Sequence, residues 1–221
     1  MSPLRATITM GFSVKEIYFT LQGEGAQTGR AAVFCRFAGC NLWSGREQDR
    51  ATAMCTFCDT DFVGTDGPGG GKFKDEESLV QAILAAWPDG SMNTPPYVVF
   101  TGGEPLLQLT PELVDACQTA GIEVAIETNG TLPAPEQIDW ICVSPKPGKT
   151  MQQTAGNELK LVFPQTACPP EDFVNLDFTH FFLQPMDGPQ QAENIQAAAA
   201  YCQAHPQWRL SLQTHKLIGL P

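Results

Sequence analysis

The sequence predicts an α/β fold: a truncated, open (β/α) barrel of about six parallel strands inside an incomplete helical ring. Two observations carry this expectation. Short β-rich runs alternate with helical patterns, the arrangement that produces parallel βα units. Two links, Thr128 to Ile138 and Ser144 to Asn157, contain Gly and Pro and show no helical pattern, so the ring lacks helices there.

In order, the β-rich runs are "VKEIYF", "AAVFCRF", "YVVFTGG", "IEVAIET", "DWICVS", "NELKLVF", "HFFLQP" and "WRLSLQT". "DEESLVQAILAAWP" is an amphipathic helix. "TPELVDACQTAG" begins with Thr110 as N-cap and Pro111 as first helical residue, and Gly121 lies past its end. "QQAENIQAAAAYCQA" is the third helix. The glycine-rich "TDGPGGGKFKD" reads as a flexible connection. After the last strand comes "HKLIGLP", which reaches about 24 Å when extended. Its apolar character predicts that it packs across the barrel mouth.

A chain of 221 residues suffices for one core and is short for two, so one domain over 1–221 is expected. The net charge of −11 argues against a nucleic-acid partner, which a basic surface would serve. No apolar run approaches the roughly 18 residues of a membrane span. The first residues lack a signal-peptide pattern, so a cytoplasmic protein is expected. In that setting the eight cysteines read as reduced thiols rather than disulfides.

Three of those thiols are grouped. Cys55 and Cys58 form a C-x-x-C turn, and Cys40 follows the strand "AAVFCRF" with fourteen residues between it and Cys55. Two readings are open. Three Cys with one His would make a zinc site, although His180, His205 and His215 are all remote in sequence. Alternatively, three thiolates hold a [4Fe–4S] cluster and leave one iron for an outside ligand. Cys35, Cys117, Cys142, Cys168 and Cys202 read as packing thiols. Cys35 and Arg36 are strand neighbours and point to opposite faces.

Other candidate residues end strands, where barrel chemistry collects. "TGGEP" brings Thr101, Gly103 and Glu104, and Glu127 closes "IEVAIET". "SPK" (Ser144, Pro145, Lys146) and "QPMD" (Gln184, Pro185, Met186, Asp187) end two more strands.

The cysteine loop followed by "TGGEP" resembles the radical S-adenosylmethionine (SAM) superfamily, in which SAM chelates the open iron. The usual CxxxCxxC spacing is lengthened here. From Val14 onward, "LQGEG", the long cysteine spacing, "CDTDF", "TGGEP", "ETNG", "SPK", "QPMDG" and "LQTHK" resemble the 7-carboxy-7-deazaguanine synthase family within it. Residues 1–13 form an extension.

The resemblance implies ring contraction of 6-carboxy-5,6,7,8-tetrahydropterin with loss of ammonia, using a [4Fe–4S] cluster on Cys40, Cys55 and Cys58, SAM and Mg²⁺. It implies SAM contacts from Phe57, Cys58, Asp59, Gly103 and Glu104, and from the "SPK" and "QPMD" residues. It implies substrate contacts from Leu21, Gln22, Gly23, Arg36, Thr101 and the carboxylate of Pro221. Thr60 is the implied Mg²⁺ ligand and Glu127 the implied catalytic carboxylate. A homodimer reduced by an electron-donor protein such as flavodoxin is implied too. A glycyl-radical activating enzyme is the alternative within the superfamily, and the short "LQGEG" opening and long cysteine spacing count against it.

Overall fold

Cys35 and Arg36 do part company: the thiol is buried against helices, while the guanidinium faces a cavity on the other side of the sheet. The structure, a computed structural model, describes residues 11–88 and 94–221. Its strands are β1 (Phe12–Leu21), β2 (Ala31–Phe37), β3 (Gly71–Phe73), β4 (Tyr97–Gly102), β5 (Glu123–Thr128), β6 (Trp140–Val143), β7 (Ala155–Phe163), β8 (Asp177–Pro185) and β9 (Trp208–Leu210). The helices are α1 (Glu76–Ala86), α2 (Pro111–Thr119), α3 (Gln191–Ala204) and α4 (Thr214–Ile218).

All nine strands join one sheet in the order β3-β1-β2-β4-β5-β6-β7-β8-β9. From β2 to β9 every pairing is parallel, which makes seven parallel strands among the described residues where about six were expected. β1 is antiparallel to β2 and β3, and it begins at Phe12, so the end of the supposed extension belongs to the sheet. Residues 1–10 lie outside the described residues.

Each helix forms for local reasons that the sequence states. Asp75 accepts from Ser78 N and closes a capping box on α1. Thr110 accepts from Leu113 N at the start of α2, with Pro111 at the first helical position. α1 and α2 cover the outer face beside β1 and β5, and α3 covers β8 and β9. The links after β5 and β6 carry no helix, as their Gly and Pro content predicts. Two apolar clusters fill the outer face, one around Phe37, Phe100 and Ile126, the other around Leu159, Leu161 and Leu183. No helix among the described residues is long and apolar enough to cross a membrane.

Three expectations need correction. The glycine-rich patch is not a free connection, because it is sewn to β1. Gly67 N donates to Lys15 O (2.9 Å), Ile17 N to Pro68 O (2.8 Å), and residues 71–73 form β3. "WRLSLQT" is a strand only as far as Leu210, after which Ser211 N makes a bond to Leu183 O (2.9 Å). The tail reaches the rim, but not by packing its apolar residues, since Leu217 and Ile218 stay exposed. It coils into α4, ended by Gly219 in the left-handed region (φ 71°), with Leu220 N bonded to His215 O (2.9 Å).

Candidate active site

Parallel strands bring their carboxyl ends to one rim, and there the concave face encloses a cavity of about 470 Å³, a size suited to small molecules. Arg36 enters from β2. Its Nε donates to Glu16 Oε1 (2.8 Å) and its Nη2 to the Tyr18 hydroxyl (3.1 Å). These bonds fix the guanidinium plane while using only part of its donor fork, which leaves N–H groups for a ligand carboxylate.

The middle of the cavity is built around a buried cation. Lys160 on β7 bonds the Glu24 carboxylate and also donates to Glu127 Oε1 (3.3 Å). Gln22 Nε2 donates to the same Glu127 oxygen (3.0 Å), and Gln184 and Gln213 each donate to Glu24 Oε1 (3.0 Å). Burial pushes the Glu24 carboxyl up, but the Lys160 charge and the bonds from Lys160 and Gln213 outweigh it and hold the pKa below its ordinary value. Burial pulls Lys160 down, and the charges of Glu127 and Glu24 outweigh that, leaving it well above its ordinary value. The network favours the ionised form of Glu24 and keeps the hydrogen-bonding edges in fixed places.

The tail closes one side. Thr214 donates to Gly23 O through N (2.9 Å) and Oγ1 (2.8 Å), and Thr20 Oγ1 donates to Pro221 O (3.2 Å). Lys216 Nζ joins Asp59 Oδ2 (2.8 Å) to Asp187 Oδ2 (2.6 Å) across the rim. Gly23 makes this docking possible, since a Cβ there would lie 2.0 Å from His215 Nδ1. Leu21 to Gly23, Thr101 and Pro221 all line the cavity.

Beside them lies the cysteine loop, with Phe57 to Thr60 on the cavity wall. A bond from the Cys55 thiol pulls Cys58 down to about 6 against burial, and the same bond raises Cys55. The Cys58 charge also acts on Cys40, so all three thiols occupy one neighbourhood. Lys146 lowers Cys55 and Cys58 by its charge, and its Nζ is held by Ser144 O (2.9 Å) and Oγ (2.6 Å). At Gly103 a Cβ would sit 2.5 Å from Cys40 Cβ, so only glycine lets the end of β4 lie against that cysteine. Among the described residues, no three His, Cys, Asp or Glu side chains gather as a single-ion site. The donor set, three thiols beside a cation and a glycine cradle, fits a thiolate-held iron–sulfur cluster.

Gly103, Ser144, Lys146 and Gln184 to Asp187 line the same cavity. Cys40, Cys55, Pro145 and Glu104 stand behind its wall. Glu104 is fully buried, and its carboxylate accepts from Thr128 Oγ1 (2.7 Å), Asn129 N (2.8 Å) and Leu106 N (2.9 Å). It therefore ties β4 to β5, and Oε2, with one bond, keeps acceptor capacity.

Sequence reasoning missed Glu24, Lys160, Gln213, His215 and Lys216. Glu158 and Lys160 did leave a signal, as charged residues two apart in the apolar run "NELKLVF". "LQGEG" and "LQTHK" contain the others, whose partners only the fold reveals.

Residues 48–143 match the family model of the radical SAM superfamily, a span that contains Cys55 and Cys58 and starts after Cys40. The chain is 66% identical over 212 residues to a 7-carboxy-7-deazaguanine synthase of Bordetella pertussis, covering 96% of this chain and 100% of the relative. It is 62% identical over 212 residues to one of Caulobacter vibrioides, with the same coverage of 96% and 100%. Among solved structures, the crystal structure of QueE from Escherichia coli superposes with a TM-score of 0.68 at 26% identity, covering 91% of this chain and 93% of that one.

Proposed function

Because the chain belongs to the 7-carboxy-7-deazaguanine synthase family of radical SAM enzymes, we propose that its cavity holds 6-carboxy-5,6,7,8-tetrahydropterin beside SAM and contracts the pterin ring with loss of ammonia. One observation supports this most: Arg36, the Lys160 network, Pro221 and the cysteine loop all converge on one enclosed space. Cys40, Cys55 and Cys58 would hold the [4Fe–4S] cluster, which when bound would supply the one-electron chemistry that activates SAM.

The chain's own residues then bind, orient and exclude water. Arg36, its plane fixed by Glu16 and Tyr18, takes the substrate carboxylate in bidentate fashion. Leu21 to Gly23, Thr101 and the Pro221 carboxylate receive the polar edge of the pterin. Glu127, held in place by bonds from Lys160 and Gln22, accepts a proton or a ribose hydroxyl. Lys146, Glu104 and the residues from Gln184 to Asp187 hold SAM, with Glu104 set in place by Thr128 and Asn129. Thr60 offers a hydroxyl to Mg²⁺, which prefers oxygen ligands and keeps waters or substrate oxygens for the rest. The chain works as one domain over 1–221, as a homodimer, with an electron donor such as flavodoxin; these points rest on the resemblance.

The test is an anaerobic assay of reconstituted protein with SAM, reductant, Mg²⁺ and 6-carboxy-5,6,7,8-tetrahydropterin. Mass spectrometry should show 7-carboxy-7-deazaguanine and an equivalent of ammonia. A fully loaded enzyme that cleaves SAM and leaves the pterin intact would overturn the substrate reading.

A further inference from the structure

The fourteen residues between Cys40 and Cys55 need not be spare chain merely looped out of the way. Leaving Cys40, the chain buries Trp43 edge-on to Phe62, their ring centroids 5.7 Å apart, and then forms a 3₁₀ turn over Glu47–Thr52. Arg50 projects from that turn onto three kinds of partner. Its guanidinium lies 4.1 Å over the Trp43 ring. Its Nε is bonded by Glu47 Oε1 (2.9 Å) and Oε2 (2.8 Å). Its Nη1 donates to the carbonyls of Thr56 (2.9 Å) and Cys58 (3.0 Å). Those two carbonyls flank Phe57 in a stretch without helix or strand, where ladder bonds do not hold the backbone.

We propose that Arg50 is a positioning residue for the three-thiol site, and that the long insertion is a brace pinning the Cys55–Cys58 turn to the Trp43 platform. The proposal rests on reading the three thiols as cluster ligands. A charged donor gives each carbonyl a stronger bond than a neutral one, and stacking on Trp43 fixes the plane from which both are reached. Lysine supplies the charge, but its ammonium cannot stack flat on Trp43 and at the same time offer separate nitrogens to Glu47 and to the carbonyls. Glu47 sets the direction of the fork, so its loss weakens the brace less than the loss of Arg50. The core contact of Trp43 with Phe62 survives either change, which separates bracing from folding.

The experiment compares wild type, Arg50→Met, Arg50→Lys and Glu47→Gln, each reconstituted anaerobically. The first readout is the rate at which an iron chelator strips the loaded protein. It should rise at least five-fold in Arg50→Met, with Arg50→Lys intermediate and Glu47→Gln smallest. The second is amide hydrogen exchange over residues 55–60 of the apo protein, which should quicken about ten-fold in Arg50→Met while exchange in β4 and β5 stays unchanged. If Arg50→Met misfolds, Arg50→Lys and Glu47→Gln decide the matter by the same two readouts. Wild-type chelation and exchange rates in folded variants overturn the brace and leave the cluster reading intact. A wild-type protein that takes up no four-iron cluster overturns both.

Discussion

The two faces of the sheet obey opposite rules. Outside, Phe37, Phe100, Leu159 and Leu161 are fully buried against helices and need nothing but close packing. Inside, the same strands present Arg36, Thr101, Glu127, Glu158 and Lys160 to one cavity or its floor, where each polar group needs a named partner. Strand alternation makes the division possible, since one residue serves stability and the next serves the ligand. A buried charge costs several kcal/mol unless it is well paired, on the order given for protein interiors. A fold that keeps such charges on one face commits that face to function.

Truncating the outer face should have the largest effect on stability. Phe100 is fully buried and stacks on Phe37 with ring centroids 5.6 Å apart. Phe100→Ala should cost about 3–5 kcal/mol in urea unfolding, while SAM affinity of the folded fraction stays at the wild-type level. A loss below about 1 kcal/mol, smaller than core truncations give, would mean this face is not the main store of stability.

On the inner face, Lys160→Met should cost a comparable amount, about 3–5 kcal/mol, for a different reason: it strands Glu24 and Glu127 as unpaired buried charges. The double variant Glu24→Gln/Lys160→Met should recover part of that loss, because it removes the charge that the single variant leaves without its partner. The pH dependence follows from the same pair. Glu24 is held below its ordinary value of 4.5, so its contribution is present above that pH and disappears as pH falls through the lowered value. Lys160 is held well above 10.5, so its contribution is present below that pH and disappears only on passing the raised value. Urea titrations should show the pair's coupling constant between about pH 5 and pH 10 and shrinking in acid. Coupling that changes through neutral pH would contradict the assignment.

The smallest effect belongs to the tail. A C-terminal tag moves the Pro221 carboxylate away from Thr20 and the cavity. It should raise the pterin KM several-fold, roughly 1 kcal/mol of binding, with the unfolding midpoint unchanged. Equal KM values for C-terminally and N-terminally tagged protein would remove Pro221 from the site.

What the sequence disclosed and what it withheld divide along the same line. Cys35 and Arg36 were separable by alternation, and Thr110 with Pro111 announced α2, because these depend on neighbours in the chain. Lys160 and Glu24 are 136 positions apart, so their pairing depends on how the sheet curves. Glu104 illustrates the opposite difficulty. Its place in "TGGEP" suggested a ligand contact, and the motif gave no sign that the carboxylate would also accept from the backbone of Asn129. The apolar tail suggested packing, yet it forms a short helix stopped at Gly219 that leaves Leu217 and Ile218 exposed.

The central claim, that one face packs and the other reacts, is tested most directly by counting iron after anaerobic reconstitution of Cys35→Ala and Cys58→Ala. Cys35 lies fully buried on the outer face, and Cys58 borders the cavity. The account predicts about four iron atoms per chain in wild type and in Cys35→Ala, as one [4Fe–4S] cluster requires, and loss of the cluster in Cys58→Ala. Full loading of Cys58→Ala, or an empty but folded Cys35→Ala, would contradict it.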